Sequence, residues 1–314
     1  MDICLINKRI DELDYLKSIM IVLMIAFHLV YIGDGFPYAK RFVYTFHMPV
    51  FLLLSGYLMN IDKGMRKFMR QISFYAVPYV VMESGYTVMA SLLPIREHID
   101  HLSLTVFLDK LILHPLGPYW YLHTLIICGI TYYLVFHLVR LRMPEKYILT
   151  GIVFFLFGAQ RLLSFSSAFY FLIGIVVRQS HVSILAFFQP SWLSSLALAL
   201  LVLNPANMQS GSTGSLLVVW LMTAFCLAVW PYVKGRLRSI MLLTGRNTML
   251  LFLFSPIFTV LCKGLVPFFL FDSTRMLFLV VSLAICISGS FAIGLLMDSF
   301  KLSPYFFGRT KNLV

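Results

Sequence analysis

Charged side chains are scarce in this 314-residue sequence, at 12% of the total, while 60% belong to the apolar set. An ordinary globular domain is roughly half apolar and a quarter charged, so the composition excludes a water-soluble fold. Closely spaced cysteines are also missing. Cys4, Cys128, Cys226, Cys262 and Cys286 lie far apart and form no CxxC pair. That excludes a disulfide framework and leaves reduced, inert thiols. No internal repeat, low-complexity tract or linker interrupts the chain, and no GxSxG elbow is present, so a serine acyl-enzyme is not suggested.

What is present is a succession of apolar windows, most of them of the roughly 20 residues needed to cross a hydrocarbon core of about 30 Å. They fall at about 14–33, 41–60, 71–93, 118–139, 147–162, 165–179, 183–203, 214–233, 239–261 and 275–298. The fifth and sixth are short, and around Arg161 they could instead form one bent or re-entrant pair. The first window is too long for a secretory h-region and lacks a small-residue cleavage site, so it is expected to be retained. The reading is an all-α, polytopic integral membrane bundle of about ten transmembrane helices in one domain, 1–314.

The net charge of +12 arises from 25 Lys and Arg against 13 Asp and Glu. Its clustering between apolar windows points to membrane orientation and not to nucleic acid. Lys and Arg accumulate on the cytoplasmic side. With the N-terminus inside, only Lys40, Arg41, Arg96, Lys110, Arg161, Lys263 and Arg275 fall outside. An even number of spans with both termini cytoplasmic fits that distribution.

Ionisable groups inside a membrane are expensive, and each is by default a functional hypothesis. His28, His47, Glu83 and His123 are the four that stand out. The three histidines count to similar depth in the outer half of their spans. Taken singly, each reads most simply as a neutral imidazole bonded to a nearby carbonyl. A neutral imidazole in a partly dry cavity is also a suitable general base, and Glu83 could orient such a base or make a structural hydrogen bond to another helix. On the inner side, Arg66, Lys67 and Arg70 share a helical face. Such a face suits phosphate, although a plain anchor to anionic lipid has the same composition. The longest connection, about Pro94 to Gly117, carries His98 and His101 without metal-site spacing and reads as a solvated outer loop, a lid over an external substrate at most.

The stretch RIDELDYLKSIMIVLMIAFHLV, then FHMPVFLLLSGYLM, then KFMRQISFYAVPY, resembles the opening of the acyltransferase-3 family of membrane O-acyltransferases. Weaker echoes follow in GPYWYLHTLI (117–126) and GRNTMLLFLFSPIF (245–258), and the HMPVF and GRNT segments resemble the fucose acetylase-like branch. The resemblance implies a ten-helix bundle that takes acyl groups, usually acetyl, from cytosolic acyl-CoA. It delivers them to sugars of surface polysaccharides or lipid-linked glycans in a bacterial inner membrane, with acetyl-CoA as donor substrate and no metal. The family's required first-span histidine falls on His28. Its basic RxxR pattern falls on Lys67 and Arg70, with Lys in place of the first Arg and Arg66 positioned to share the role. Trp120 and His123 would line the acceptor side, with His47 and Glu83 as orienting groups. Where many relatives carry a histidine, this sequence has Ser255. A glycan or glycolipid carrier using the histidines for proton coupling, and an inactive homologue acting as a scaffold, are the alternatives. The acceptor sugar and the oligomeric state are not written in the sequence.

Overall fold

The computed structural model describes residues 9–92 and 97–311, and among these the chain is helical with no strand. Cys4, Lys8, Arg96 and the two chain ends lie outside the described residues. The helices are α1 (Asp11–His28), α2 (Val30–Gly35), α3 (Pro37–Leu58), α4 (Met65–Leu92), α5 (Leu104–Ile112), α6 (Trp120–Leu138), α7 (Met143–Ala159) and α8 (Phe165–Gln179). They continue with α9 (Ile184–Phe188), α10 (Leu193–Val202), α11 (Thr213–Val229), α12 (Gly235–Arg246), α13 (Thr248–Leu261), α14 (Met276–Ser299) and α15 (Ser303–Phe307).

Four helical stretches are long and apolar enough to cross a bilayer unaided: Gly117–Leu138, Thr213–Tyr232, Thr248–Phe269 and Met276–Ser299. Phe165–Gln179 and Leu193–Val202 are shorter apolar helices. Large apolar side chains face outward along them and their neighbours, as at Ile148, Ile152 and Phe155 of α7 and Val280, Leu295 and Leu296 of α14. Such surfaces suit hydrocarbon and not water, and a helix in hydrocarbon satisfies its own backbone. The protein is an all-α integral membrane bundle. The doubtful fifth and sixth windows are two separate helices, α7 and α8, which pack together across a turn where Arg161 takes a φ of 59°.

Three apolar windows contain a break, and only that of the seventh is marked by a proline, Pro190. The first divides at Leu29 into α1 and α2, the seventh into α9 and α10, and the ninth at Asn247 into α12 and α13. The chain forms two compact units. Of the described residues, one holds those up to Met48 with Leu185–Ile293, the other those of Pro49–Ile184 with Gly294 to Lys311.

In the first unit α1 is the central helix, packed against α11, α12 and α13. Its residues Leu16, Met20, Ile21, Met24 and Ile25 are all buried. Its N-terminal end is fixed by charge. The buried carboxylate of Asp14 meets Arg9 at 2.6 Å, Lys17 at 2.7 Å and Arg246 at 3.6 Å, and Asp11 meets Arg238 and Arg246. Acids in a first helical turn also complement the helix dipole.

In the second unit α4 packs against α5, α6 and α15, and α6 and α7 pack against α8 or each other. Gly56 of α3 and Gly174 of α8 let two backbones approach closely. A Cβ on Gly56 would meet the carbonyl oxygen of Phe171, and one on Gly174 that of Leu53. Small residues at such crossings are the usual means of close helix packing in a membrane. Cys128, Cys226, Cys262 and Cys286 are buried free thiols.

Candidate functional site

In the first unit, His28 is the last residue of α1 and is exposed, although the helix leading to it is buried nearly all round. Its Nδ1 lies 2.7 Å from the carbonyl oxygen of Met24. A carbonyl can only accept, so Nδ1 carries the proton and Nε2 carries the lone pair. Among the described residues no hydrogen-bond partner of that Nε2 is found. The helix break at Leu29 follows immediately, so the imidazole stands at the end of a rigid rod and not within it.

His47, on α3, is built the same way. Its Nδ1 donates to Val43 at 2.8 Å, and its buried Nε2 has no partner among the described residues. Tyr44, one turn earlier on α3, touches both imidazoles. Its ring centroid lies 5.8 Å from that of His28 and 5.1 Å from that of His47. Its hydroxyl donates to the Phe27 carbonyl at 3.3 Å, and Lys40 Nζ sits 5.9 Å from its centroid. His28 and His47 are thus both gathered at one aromatic ring. Tyr44 was not singled out in the sequence, although its spacing of three from His47 on an apolar helix was a readable signal.

In the second unit, Glu83 is fully buried on α4 and its Oε1 accepts from the backbone amide of Leu116 at 2.6 Å. Its Oε2 has no partner among the described residues, and no ion pair or hydrogen bond joins Glu83 to a described histidine. His123, on the first turn of α6, donates from Nε2 to the Ile112 carbonyl at 2.8 Å, which leaves its buried Nδ1 as an unpartnered acceptor. Tyr79, one turn before Glu83, packs its ring 5.7 Å from that of His123 and donates to the Leu111 carbonyl at 2.7 Å. Glu97 accepts from the amide of Gly117 at 2.7 Å. Four side chains therefore hold the irregular backbone between Leu111 and Gly117, whose polar groups would otherwise lack partners. Trp120 follows at the start of α6, edge-on to Tyr121, and the Tyr121 hydroxyl lies 2.7 Å from Ser55 Oγ.

At the start of α4, Arg66, Lys67 and Arg70 are exposed, whereas Phe68 between them is buried and stacks on Tyr133 with centroids 4.1 Å apart. Phe68 fixes the turn, and the basic side chains are turned outward by the helical period. Among the described residues none of the three is in an ion pair; Arg70 lies 5.8 Å from the ring of Phe74. Lys63 is engaged separately, donating to Gln71 at 3.1 Å. Ser255 is buried in α13, next to Pro256.

The family model described as an acyltransferase domain, that of the acyltransferase-3 family, matches residues 10–295. The chain belongs to the acyltransferase-3 family. The matched range reaches into both compact units and covers every candidate site residue from His28 to Ser255. Nodulation protein NolL of Sinorhizobium fredii is 27% identical over 124 residues, covering 37% of this chain and 34% of that protein. The likeness therefore spans about a third of the relative's length. No solved structure matches the chain. The chain is thus a helical membrane protein of the acyltransferase-3 family.

Proposed function

We propose that this acyltransferase moves an acyl group, acetyl in the simplest case, from acyl-CoA to a sugar hydroxyl of a surface polysaccharide or lipid-linked glycan in a bacterial inner membrane. The observation that carries the reading is His28. It is an accessible imidazole at the end of a buried helix, with Nδ1–H tied to the Met24 carbonyl and the Nε2 lone pair left to take a proton. An imidazole nitrogen with its lone pair free is what the proton of an attacking hydroxyl requires.

The step then balances as follows. The sugar oxygen attacks the thioester carbonyl carbon while Nε2 of His28 removes the hydroxyl proton. The tetrahedral intermediate collapses with loss of the CoA sulfur, which takes the proton from the imidazolium and leaves as the free thiol. A carbon–oxygen ester bond replaces the carbon–sulfur bond, and no redox change occurs. Tyr44 and His47 hold the imidazole in place. Arg66, Lys67 and Arg70 receive the phosphates of the donor at the cytosolic mouth, where guanidinium groups offer paired donors to phosphate. Glu83, His123 and Trp120 belong to the acceptor side in this reading, with Glu83 and His123 also holding the backbone segment that ends at Gly117.

The test is thiol release from acetyl-CoA by the purified protein in lipid, against a panel of surface-glycan and lipid-linked sugar acceptors, with His28→Ala beside wild type. Acceptor-dependent release by wild type alone supports the proposal. Folded protein that does not bind acetyl-CoA overturns it in favour of a carrier.

A further inference from the structure

The connection between α4 and α6 is not simply a solvated loop. It contains α5, begun by Ser103, whose Oγ accepts from the amide of Val106 at 3.2 Å as an N-cap. At 100° per residue, Phe107, Leu111, Leu104, Leu108 and Ile112 fall along one continuous arc of α5, and Thr105, Asp109 and Lys110 lie off it. Only part of the arc is covered by protein. Phe107 and Leu111 are half-buried, and α5 packs on α4. Leu104, Leu108 and Ile112, four residues apart, are 75%, 42% and 55% exposed.

The polar side is neutralised within itself. Asp109 lies 2.8 Å from His114 and 3.4 Å from Lys110. On the side of α4 turned away from Tyr79 and Glu83, exposed Val77, Val81, Val88 and Leu92 form an apolar stripe, at spacings that keep one face of a helix toward hydrocarbon. The uncovered arc of α5 is thus a second outward apolar surface on a chain whose other outward apolar surfaces suit hydrocarbon. A helix with one apolar and one polar face lies in the plane of a membrane interface with its apolar side in the acyl chains.

We propose that α5 is an interfacial helix whose Leu104, Leu108 and Ile112 are seated in the acyl-chain edge of the bilayer leaflet. Its C-terminal end runs into Leu111–Gly117, the segment held by Tyr79, Glu83, Glu97 and His123. The leaflet thus holds one side of that segment and the protein the other.

The experiment places a nitroxide at single cysteines in the full chain reconstituted in phosphatidylcholine–phosphatidylglycerol vesicles, with Cys4→Ser as background. The positions are Leu104→Cys, Thr105→Cys, Leu108→Cys, Asp109→Cys and Ile112→Cys. Collision with oxygen and with a water-soluble nickel complex is then measured. Oxygen should exceed nickel at 104, 108 and 112, and nickel should exceed oxygen at 105 and 109. High nickel access at all five positions means a solvated helix, and low access to both reagents at 104, 108 and 112 means a covering protein surface. Either result overturns the proposal. Exposed Thr105 and half-buried Asp109 lie off the apolar arc, so the contrast between them and 104, 108 and 112 also shows that the helix has formed.

Discussion

The imidazole of His28 and the ring of Tyr44 lie stacked, with centroids 5.8 Å apart and planes 30° from parallel. One residue ends α1 and the other comes from α3, so the contact adds to the Met24 hydrogen bond a second restraint from outside α1. A contact of this kind contributes about 0.5–1.5 kcal/mol, enough for roughly tenfold in rate if it is lost in the transition state. Tyr44→Phe should therefore keep turnover within about threefold of wild type. Tyr44→Ala should lower kcat about tenfold with KM for the acyl donor little changed. His28→Ala should cost about 10²–10⁴-fold. The check is steady-state thiol release for the three variants. Full activity in Tyr44→Ala would reduce the ring to packing.

The outward face of Arg66, Lys67 and Arg70 predicts a different kinetic signature. Hydrogen bonds to charged groups are worth about 1.5–3 kcal/mol each, so Arg70→Ala should weaken acyl-CoA binding by roughly 10–100-fold. Once the donor is saturating, kcat should stay near wild type. Arg70→Lys should recover only part of the loss, since a single ammonium cannot reproduce a two-pronged phosphate contact. Titration of binding with acetyl-CoA, at low and high salt, is the measurement. Unchanged affinity in both variants would leave the cluster as an anchor for anionic lipid.

The membrane class and the helix positions were legible because a long apolar run has few other uses, and the windows at 118–139, 214–233 and 275–298 nearly coincide with observed helices. The breaks at Leu29 and Asn247 were not, since neither is marked by proline or glycine at the break and apolarity is blind to a change of backbone angle. The α5 stripe was present as a four-residue spacing of Leu104, Leu108 and Ile112, but the histidines and acids around it gave the segment the composition of a loop. For His28, His47 and His123 the expected bond to a nearby carbonyl is what forms, through Met24, Val43 and Ile112. The other nitrogen of each ring, on which chemistry depends, is a matter of three-dimensional surroundings. Glu83 shows the limit most clearly. Its partner is a backbone amide thirty-three positions along the chain, and an amide carries no side-chain label for sequence reading to find.

The crossing of α3 and α8 at Gly56 and Gly174 gives a stability prediction separate from catalysis. An added methyl at either position meets a backbone carbonyl, which cannot swing aside as a side chain can. Overpacking of a tight contact costs about 1–3 kcal/mol. Gly174→Ala and Gly56→Ala should each lower the midpoint of thermal unfolding in detergent, whereas Gly85→Ala, on α4 with open space around it, should leave the midpoint unchanged or raise it slightly. Equal midpoints for all three would mean that the two backbones are further apart in the folded protein.

Glu83 separates a holding role from a chemical one. Its Oε1 satisfies the amide of Leu116, and Glu83→Gln keeps an oxygen of the same reach, whereas Glu83→Leu keeps the volume and removes the acceptor. Leaving that N–H unpaired costs about 1–3 kcal/mol. Glu83→Leu should thus melt earlier and exchange its amide hydrogens faster between Leu111 and Gly117, while Glu83→Gln should stay close to wild type in both. Activity follows the same order if the carboxylate only holds the backbone. A Glu83→Gln protein with wild-type melting and exchange but a loss of more than about tenfold in kcat would instead place the charge itself in the reaction. The two measurements together assign the role, because a lost clamp changes exchange at Leu116 before it changes chemistry, and a lost base changes chemistry alone.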